Sequence, residues 1–91
     1  MGVVISMCRV MLADCEHLEI EALKLIIDRN VKLAKVIGKA QDGEEAIRMS
    51  EELDPDVIFL GFAMPGINGL EVADRIKKKD KNKKIKIGRA S

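Results

Sequence analysis

Asp14, Cys15 and Glu16 follow directly on a short apolar run, Cys8–Ala13 (CRVMLA). Two carboxylates at a strand end are a weak ligand set for a hard cation such as Mg²⁺, which binds through one or two carboxylates and fills its shell with water. The more ordinary role for Asp14 is to cap the helix that follows. Between two acids the Cys15 thiolate is disfavoured, which points to an inert thiol rather than a redox sensor. Cys8 opens the apolar run and is expected in the core, and His17, at a helix start, on the solvated surface. The two cysteines make neither a CxxC nor a zinc spacing. That usage places the protein in a reducing cytoplasm with reduced thiols.

The elements around this cluster must hold it in place. CRVMLA is too short for a helix and fits a buried strand. From Glu16 onward, HLEIEALKLIID sets Leu18, Ala22 and Leu25, and Ile20, Leu23, Ile26 and Ile27, at helical spacings. This predicts an amphipathic helix ending near Arg29-Asn30. Residues 35–40 (KVIGKA) form a weaker second strand. Asp42-Gly43 opens a second helix with Glu44 and Glu45 in its first turn, where the helix dipole favours acids. Its inner face would be Ala46, Ile47, Ser50 and Leu53, and Pro55 stops it. Residues 57–60 are apolar throughout, as in a strand inside a parallel sheet, and Gly61 follows them. A third helix from residue 68 or 69 to 78 would turn Leu70, Ala73 and Ile76 inward, and residues 84–87 (KIKI) would be a fourth strand. Strands alternating with helices predict right-handed βαβ crossovers in a three-layer α/β fold. The expected strand order is 2-1-3-4, with ligands beyond the carboxyl ends at the switch between the first and third strands. Asp14, Cys15 and Glu16 should therefore face Gly61, Phe62 and Ala63.

Ninety-one residues make one small domain, able to bury only about 60–65% of the surface of its unfolded chain. Its apolar and charged fractions are those of a folded protein. Phe59 and Phe62 are the only aromatic residues, which argues against base-stacking platforms for single-stranded nucleic acid. No run approaches the length of a membrane span. Residues 1–7 (MGVVISM) are too short, and lack the basic start, for a signal peptide; they read as an N-terminal extension. Residues 75–91 hold nine Lys and Arg against one acid, Asp80, so they carry +8 and, with a total of +1, the rest carries −7. Such a segment serves as an electrostatic tail for an acidic partner or nucleic acid, or as a solvated helix end. No groove-reading motif accompanies it, which favours the second role.

The segment LDPDVIFLGFAMPGINGL (residues 53–70), with Met64-Pro65-Gly66 followed by Asn68-Gly69-Leu70, resembles the phosphorylation-site segment of bacterial response-regulator receiver domains. The resemblance extends over nearly all of residues 8–87, through ADCEHLEIEALKLI and DGEEAI. It implies a flavodoxin-like fold, of which this chain holds four strands and three helices where the family has five of each. In that family the last residue of the third strand is an aspartate that accepts a phosphoryl group, and the matching position here is Gly61. Asp14 and Glu16 match acidic positions, and Cys15 stands where an aspartate is common. Ala63 matches a backbone-ligand position, so the resemblance implies a weak Mg²⁺ site of Asp14, Glu16 and Ala63. The family's lysine lies on a fifth strand that this chain does not contain, and Ser91 is a loose counterpart of the family's hydroxyl. The shortened sheet is expected to leave apolar surface uncovered around Phe59 and Ile85 or Ile87. The KIKI alternation suits an edge strand with one wet face, whose lysines discourage aggregation, and residues 88–91 read as a frayed tail.

These features favour a non-enzymatic, phosphorylation-independent interaction module of two-component signalling. It would bind a histidine kinase, another response regulator or a second copy of itself. The competing readings are residual phosphotransfer through another carboxylate such as Asp14, a basic-tailed binder of nucleic acid or an acidic partner, and a gene remnant without function.

Overall fold

The computed structural model describes residues 8–30, 33–61 and 64–88. Expectations for residues 1–7, Phe62, Ala63 and residues 89–91 lie outside the described residues. Seven elements alternate in sequence: β1 (Cys8–Ala13), α1 (His17–Asn30), β2 (Ala34–Ala40), α2 (Gly43–Leu53), β3 (Val57–Gly61), α3 (Gly69–Lys79) and β4 (Lys84–Gly88). All strand pairs are parallel, in the order β2-β1-β3-β4. The sequence expectation holds for class, order and number of elements.

β1 and β3 lie at the centre and are apolar on both faces, so each face needs a cover. Met11, Ala13, Ile58 and Leu60 pack with Ala46 of α2 and with Val72 and Ile76 of α3. On the opposite face Val10 and Leu12 pack with Ile20 and Ile27 of α1, with Phe59 half-buried beside them. On β2, Val36 pairs with Val10 but Gly38 pairs with Met11, leaving Ile37 as an extra residue. A bulge of this kind bends the strand. At Gly38 α2 approaches closely: a Cβ there would lie 2.6 Å from Leu53 Cδ1 and 2.9 Å from Met49 Cε, and those side-chain ends would have to shift to admit it.

Polar side chains set the helix ends. Asp42 Oδ1 accepts the Glu45 amide at 2.8 Å, and Glu45 Oε1 accepts the Gln41 amide at 2.8 Å. Asn68 Oδ1 likewise accepts the Glu71 amide at 2.9 Å, which satisfies one of the unpaired donors at each N-terminus. α2 stops where Asp54 turns left-handed at φ 46° and buried Pro55 follows. Its last turn holds no cation; two cations reach it from elsewhere. Arg9 of β1 donates from Nη1 to the Asp54 carbonyl at 2.7 Å and from Nη2 to the Leu53 carbonyl at 2.5 Å. Lys83, just before β4, donates from Nζ to Asp54 Oδ1 at 2.7 Å and to the Pro55 carbonyl at 2.5 Å. Positive charge at a helix C-terminus is favourable.

Several sequence expectations are corrected. Leu70 does not face inward but is 57% exposed; capping by Asn68 turns Gly69, Val72 and Ile76 to the sheet instead. Leu18 and Leu25, which share helical spacing with Ala22, point outward, and Ile20 and Ile27 supply the buried face of α1. Lys83 is 7% exposed and held by α2's end, so it departs from the expected solvated run. Ile85 and Ile87 do not join Phe59, because they pair with Ile58 and Leu60 and therefore face α2 and α3. Lys84 and Lys86 are the residues on Phe59's side of β4.

The hydrogen bond from Lys83, together with its charge and that of Arg9, holds the Asp54 carboxyl below its ordinary pKa. A carboxyl depressed on folding adds stability above its unfolded pKa, and that increment is lost as pH falls through the folded value. The thermal midpoint should therefore fall more between pH about 6 and about 3 in the wild type than in Asp54→Asn, which keeps a residue tolerant of the left-handed backbone. Arg9→Ala removes two charge-assisted bonds and should cost about 1–3 kcal/mol in urea unfolding.

Candidate functional site

The reversal of strand order between β1 and β3 brings their carboxyl ends together, the usual position of a ligand site in such a sheet. Ala13 pairs with Leu60, so Asp14 leaves β1 beside Gly61, the last residue of β3. The Asp14 amide donates to the Ala40 carbonyl at 3.0 Å, and its Oδ1 accepts the Glu16 amide at 3.1 Å. This fold-back turns the chain into α1, whose first amides, those of Glu19 and Ile20, donate to the Glu16 carbonyl at 3.1 and 3.2 Å. Glu16 thus holds the capping position, and Asp14 braces the turn one step earlier than a cap would.

The Asp14 carboxylate, only 9% exposed, lies over Gly61. A Cβ on residue 61 would meet Asp14 Cγ and Oδ2 at 2.8 Å and Oδ1 at 3.0 Å. The carboxylate therefore takes up the space that a side chain at residue 61 would need. Glu16 and Cys15 are exposed beside it. Partial desolvation, reinforced by the negative charges of Asp14 and Glu16, raises the Cys15 thiol pKa, as its acidic flanks predict. His17 is exposed, with Nδ1 3.5 Å from the Gln41 amide nitrogen. Among the described residues no three His, Cys, Asp or Glu side chains gather into a metal-holding group. The implied Mg²⁺ donor Ala63 and the possible hydroxyl Ser91 both lie outside the described residues.

A groove opens from Asp14 and Gly61 and runs between α1 and β3, on the Phe59 side where the sequence predicts uncovered apolar surface. It has a volume of about 420 Å³ and is lined chiefly by Leu12, Ile20, Leu23, Ile26 and Phe59, with Glu19 near Asp14. The signal was present in α1, whose apolar residues cover more of the helix than one buried stripe requires. The basic run of residues 75–91 is partly neutralised within the fold. Arg75 pairs with Glu71 and Glu44, Lys78 with Asp74, Lys79 with Glu51, and Lys83 with Asp54 and Asp80.

Residues 10–88 match the response regulator receiver domain family. The transcriptional regulatory protein YdfI of Bacillus subtilis is 40% identical over 74 residues, covering 80% of this chain and 34% of that protein. The chain thus spans about a third of the length of this curated relative. The response regulator domain of Thermotoga maritima CheB superposes with a TM-score of 0.85 at 36% identity, over 91% of this chain and 60% of that one. A chain of the CheX–CheY–BeF3–Mg²⁺ complex from Borrelia burgdorferi superposes with a TM-score of 0.83 at 25% identity, over 91% of this chain and 62% of that one.

The contact between Asp14 and Gly61 makes their substitutions interdependent. Gly61→Ala should destabilise by about 1–3 kcal/mol, the ordinary range for overpacking. In an Asp14→Ala background the same change should cost distinctly less, since the crowding carboxylate is gone. Urea unfolding of the four proteins in the double-mutant cycle measures the coupling.

Proposed function

The chain belongs to the response regulator receiver domain family, and we propose that it acts there as a binding module that does not depend on phosphorylation. The observation that carries this reading is Gly61 at the carboxyl end of β3, with the Asp14 carboxylate in the space of its missing side chain. Phosphoryl transfer that forms an acyl phosphate needs a carboxylate oxygen free to attack the phosphorus in line, and glycine has no side chain to supply one. Asp14 is a poor substitute, being nearly buried, with one oxygen engaged by the Glu16 amide. The module would work by surface recognition of a histidine kinase or another response regulator. Its basic segment is not read as a nucleic-acid tail, because several of its cations already have acidic partners in the fold.

A Mg²⁺ site is part of the same proposal. Asp14 and Glu16 are hard oxygen donors of the kind that hold this ion through one or two carboxylates and water, with the Ala63 carbonyl as the donor that the family resemblance implies. Bound there, the ion would supply positive charge for anionic oxygens. The residues themselves do less: Asp14 holds the turn into α1, and Glu16 offers an exposed carboxylate at that helix's start.

Two measurements test this reading. Incubation with acetyl phosphate, or with a phosphorylated histidine kinase, plus Mg²⁺ should leave the intact mass unchanged. A hydroxylamine-labile phosphate adduct would overturn the proposal, and mapping it to Asp14 would establish residual phosphotransfer instead. Millimolar Mg²⁺ should raise the thermal midpoint slightly in the wild type and not in Asp14→Asn, by mass action on the folded state. Equal rises in both proteins would remove Asp14 from the site.

A further inference from the structure

A series of contacts runs from Gly61 into α1. A Cβ on residue 61 would meet three atoms at 2.8 to 3.0 Å, and all three belong to the Asp14 carboxyl group. That carboxylate is nearly buried, and its Oδ1 accepts the Glu16 amide at 3.1 Å. The Glu16 carbonyl in turn accepts the amides of Glu19 and Ile20 at 3.1 and 3.2 Å, which closes the first turn of α1. Ile20 carries that turn into the apolar face shared with Val10 and Leu12. The backbone around the carboxylate is fixed. The Asp14 amide is bonded to the Ala40 carbonyl of β2, and Ala13 before it pairs with both Ala40 and Leu60. Gly61 itself ends β3 in register with Gly88. A side chain at residue 61 therefore displaces the carboxylate first. Side chains move by jumps between staggered rotamers, and such a jump takes Oδ1 away from the Glu16 amide.

From this series we infer that Gly61 and Asp14 couple the end of β3 to the start of α1. The glycine lets the carboxylate lie inward and brace the β1–α1 turn, and a side chain at residue 61 drives it outward and loosens the first turn of α1. Asp14 is then a positioning residue, and Gly61 is the condition of its position as well as the lack of an acceptor. Placing a side chain at residue 61 does not refill an untouched site; it exchanges one arrangement of the turn for another. The inference rests on reading the chain as a binding module that does not depend on phosphorylation. To that reading it adds how the site is held, by a carboxylate that the chain itself carries.

Amide hydrogen exchange on the isotope-labelled full chain tests the coupling. It is run without phosphodonor or Mg²⁺, so its outcome is separate from that of the phosphorylation experiment. Gly61→Ala should speed exchange at Glu16, Glu19 and Ile20 about tenfold, the effect of losing one charge-assisted hydrogen bond. The amides of Glu45 and Glu71, capped by Asp42 and Asn68 in the first turns of α2 and α3, open by the same local fraying and should be unchanged. Asp14→Ala should by itself reproduce the loss at α1, and Gly61→Ala added to it should change nothing further there. Asp14→Asn keeps an Oδ1 acceptor and should retain most of the protection. The two Asp14 variants read the link to Glu16 with residue 61 left as glycine, so the coupling is tested even where Gly61→Ala folds poorly. Unchanged exchange at the start of α1, equal acceleration at Glu45 and Glu71, or equal losses in Asp14→Asn and Asp14→Ala would overturn the inference. So would a full further effect of Gly61→Ala in the Asp14→Ala background.

Discussion

Two neighbouring strands, β1 and β3, are apolar on both faces, and the remaining elements lie where they do because both faces must be kept from water. One face has two helices to cover it: α2 and α3 bury Met11, Ala13, Ile58 and Leu60. Among the described residues the other face has α1 alone, whose Ile20 and Ile27 cover Val10 and Leu12 but leave Phe59 half-buried. Under the double cover β2 carries a bulge, and the ends of Leu53 and Met49 close over Gly38. The single cover leaves a groove. The same inequality explains why the lysines of β4 sit on one side and its isoleucines on the other. Ile85 packs against the α2–α3 core, while Lys84 and Lys86 face the side with least apolar cover.

The double cover is fastened at the end remote from the candidate site. α2 finishes without a cation of its own, and Arg9 and Lys83 converge on its last carbonyls from β1 and from the turn before β4. Burying an ammonium such as that of Lys83 is costly unless it is paired and hydrogen-bonded, and here it meets both a carboxylate and a carbonyl. Asp54 joins the two functions, with a left-handed backbone that ends the helix and a side chain that receives the lysine. Its replacement would therefore disturb chain direction and charge balance together, unless the new residue tolerates that backbone.

Much of the fold was legible because period and punctuation agree. Short apolar runs became strands, Asp42 and Asn68 became caps, and Pro55 marked the end of α2. Phase was less legible than period. Leu70 and Val72 both fit a helical spacing, and only the cap geometry decides that Val72 is buried. In α1 the apolar residues encircle the helix, so no single face stands out from sequence. The side of β4 that Ile85 occupies depends on register with β3, which composition does not encode. Lys83 was hidden in a run of identical charges, and only its position opposite α2's end makes it different. At the site, the nearness of Asp14 and Gly61 followed from topology. That the carboxylate fills the space of the absent side chain needed coordinates.

The distribution of the remaining charge bears on what kind of partner such a surface suits. A nucleic-acid backbone presents regularly spaced phosphates and is bound by cations arrayed along one face. The eight cations of residues 75–88 are instead divided among several places, with Lys77 and Lys81 exposed at the end of α3 and just beyond it. Arg75, Lys78 and Lys79 lie along α3 against Glu71, Asp74 and Glu51, Lys83 is buried under α2, and Lys84 and Lys86 stand at the groove. Cations already engaged by internal acids release few counterions on binding. The near-neutral total charge therefore hides a local arrangement, set by which cations the fold has paired with its own acids and which it has left exposed.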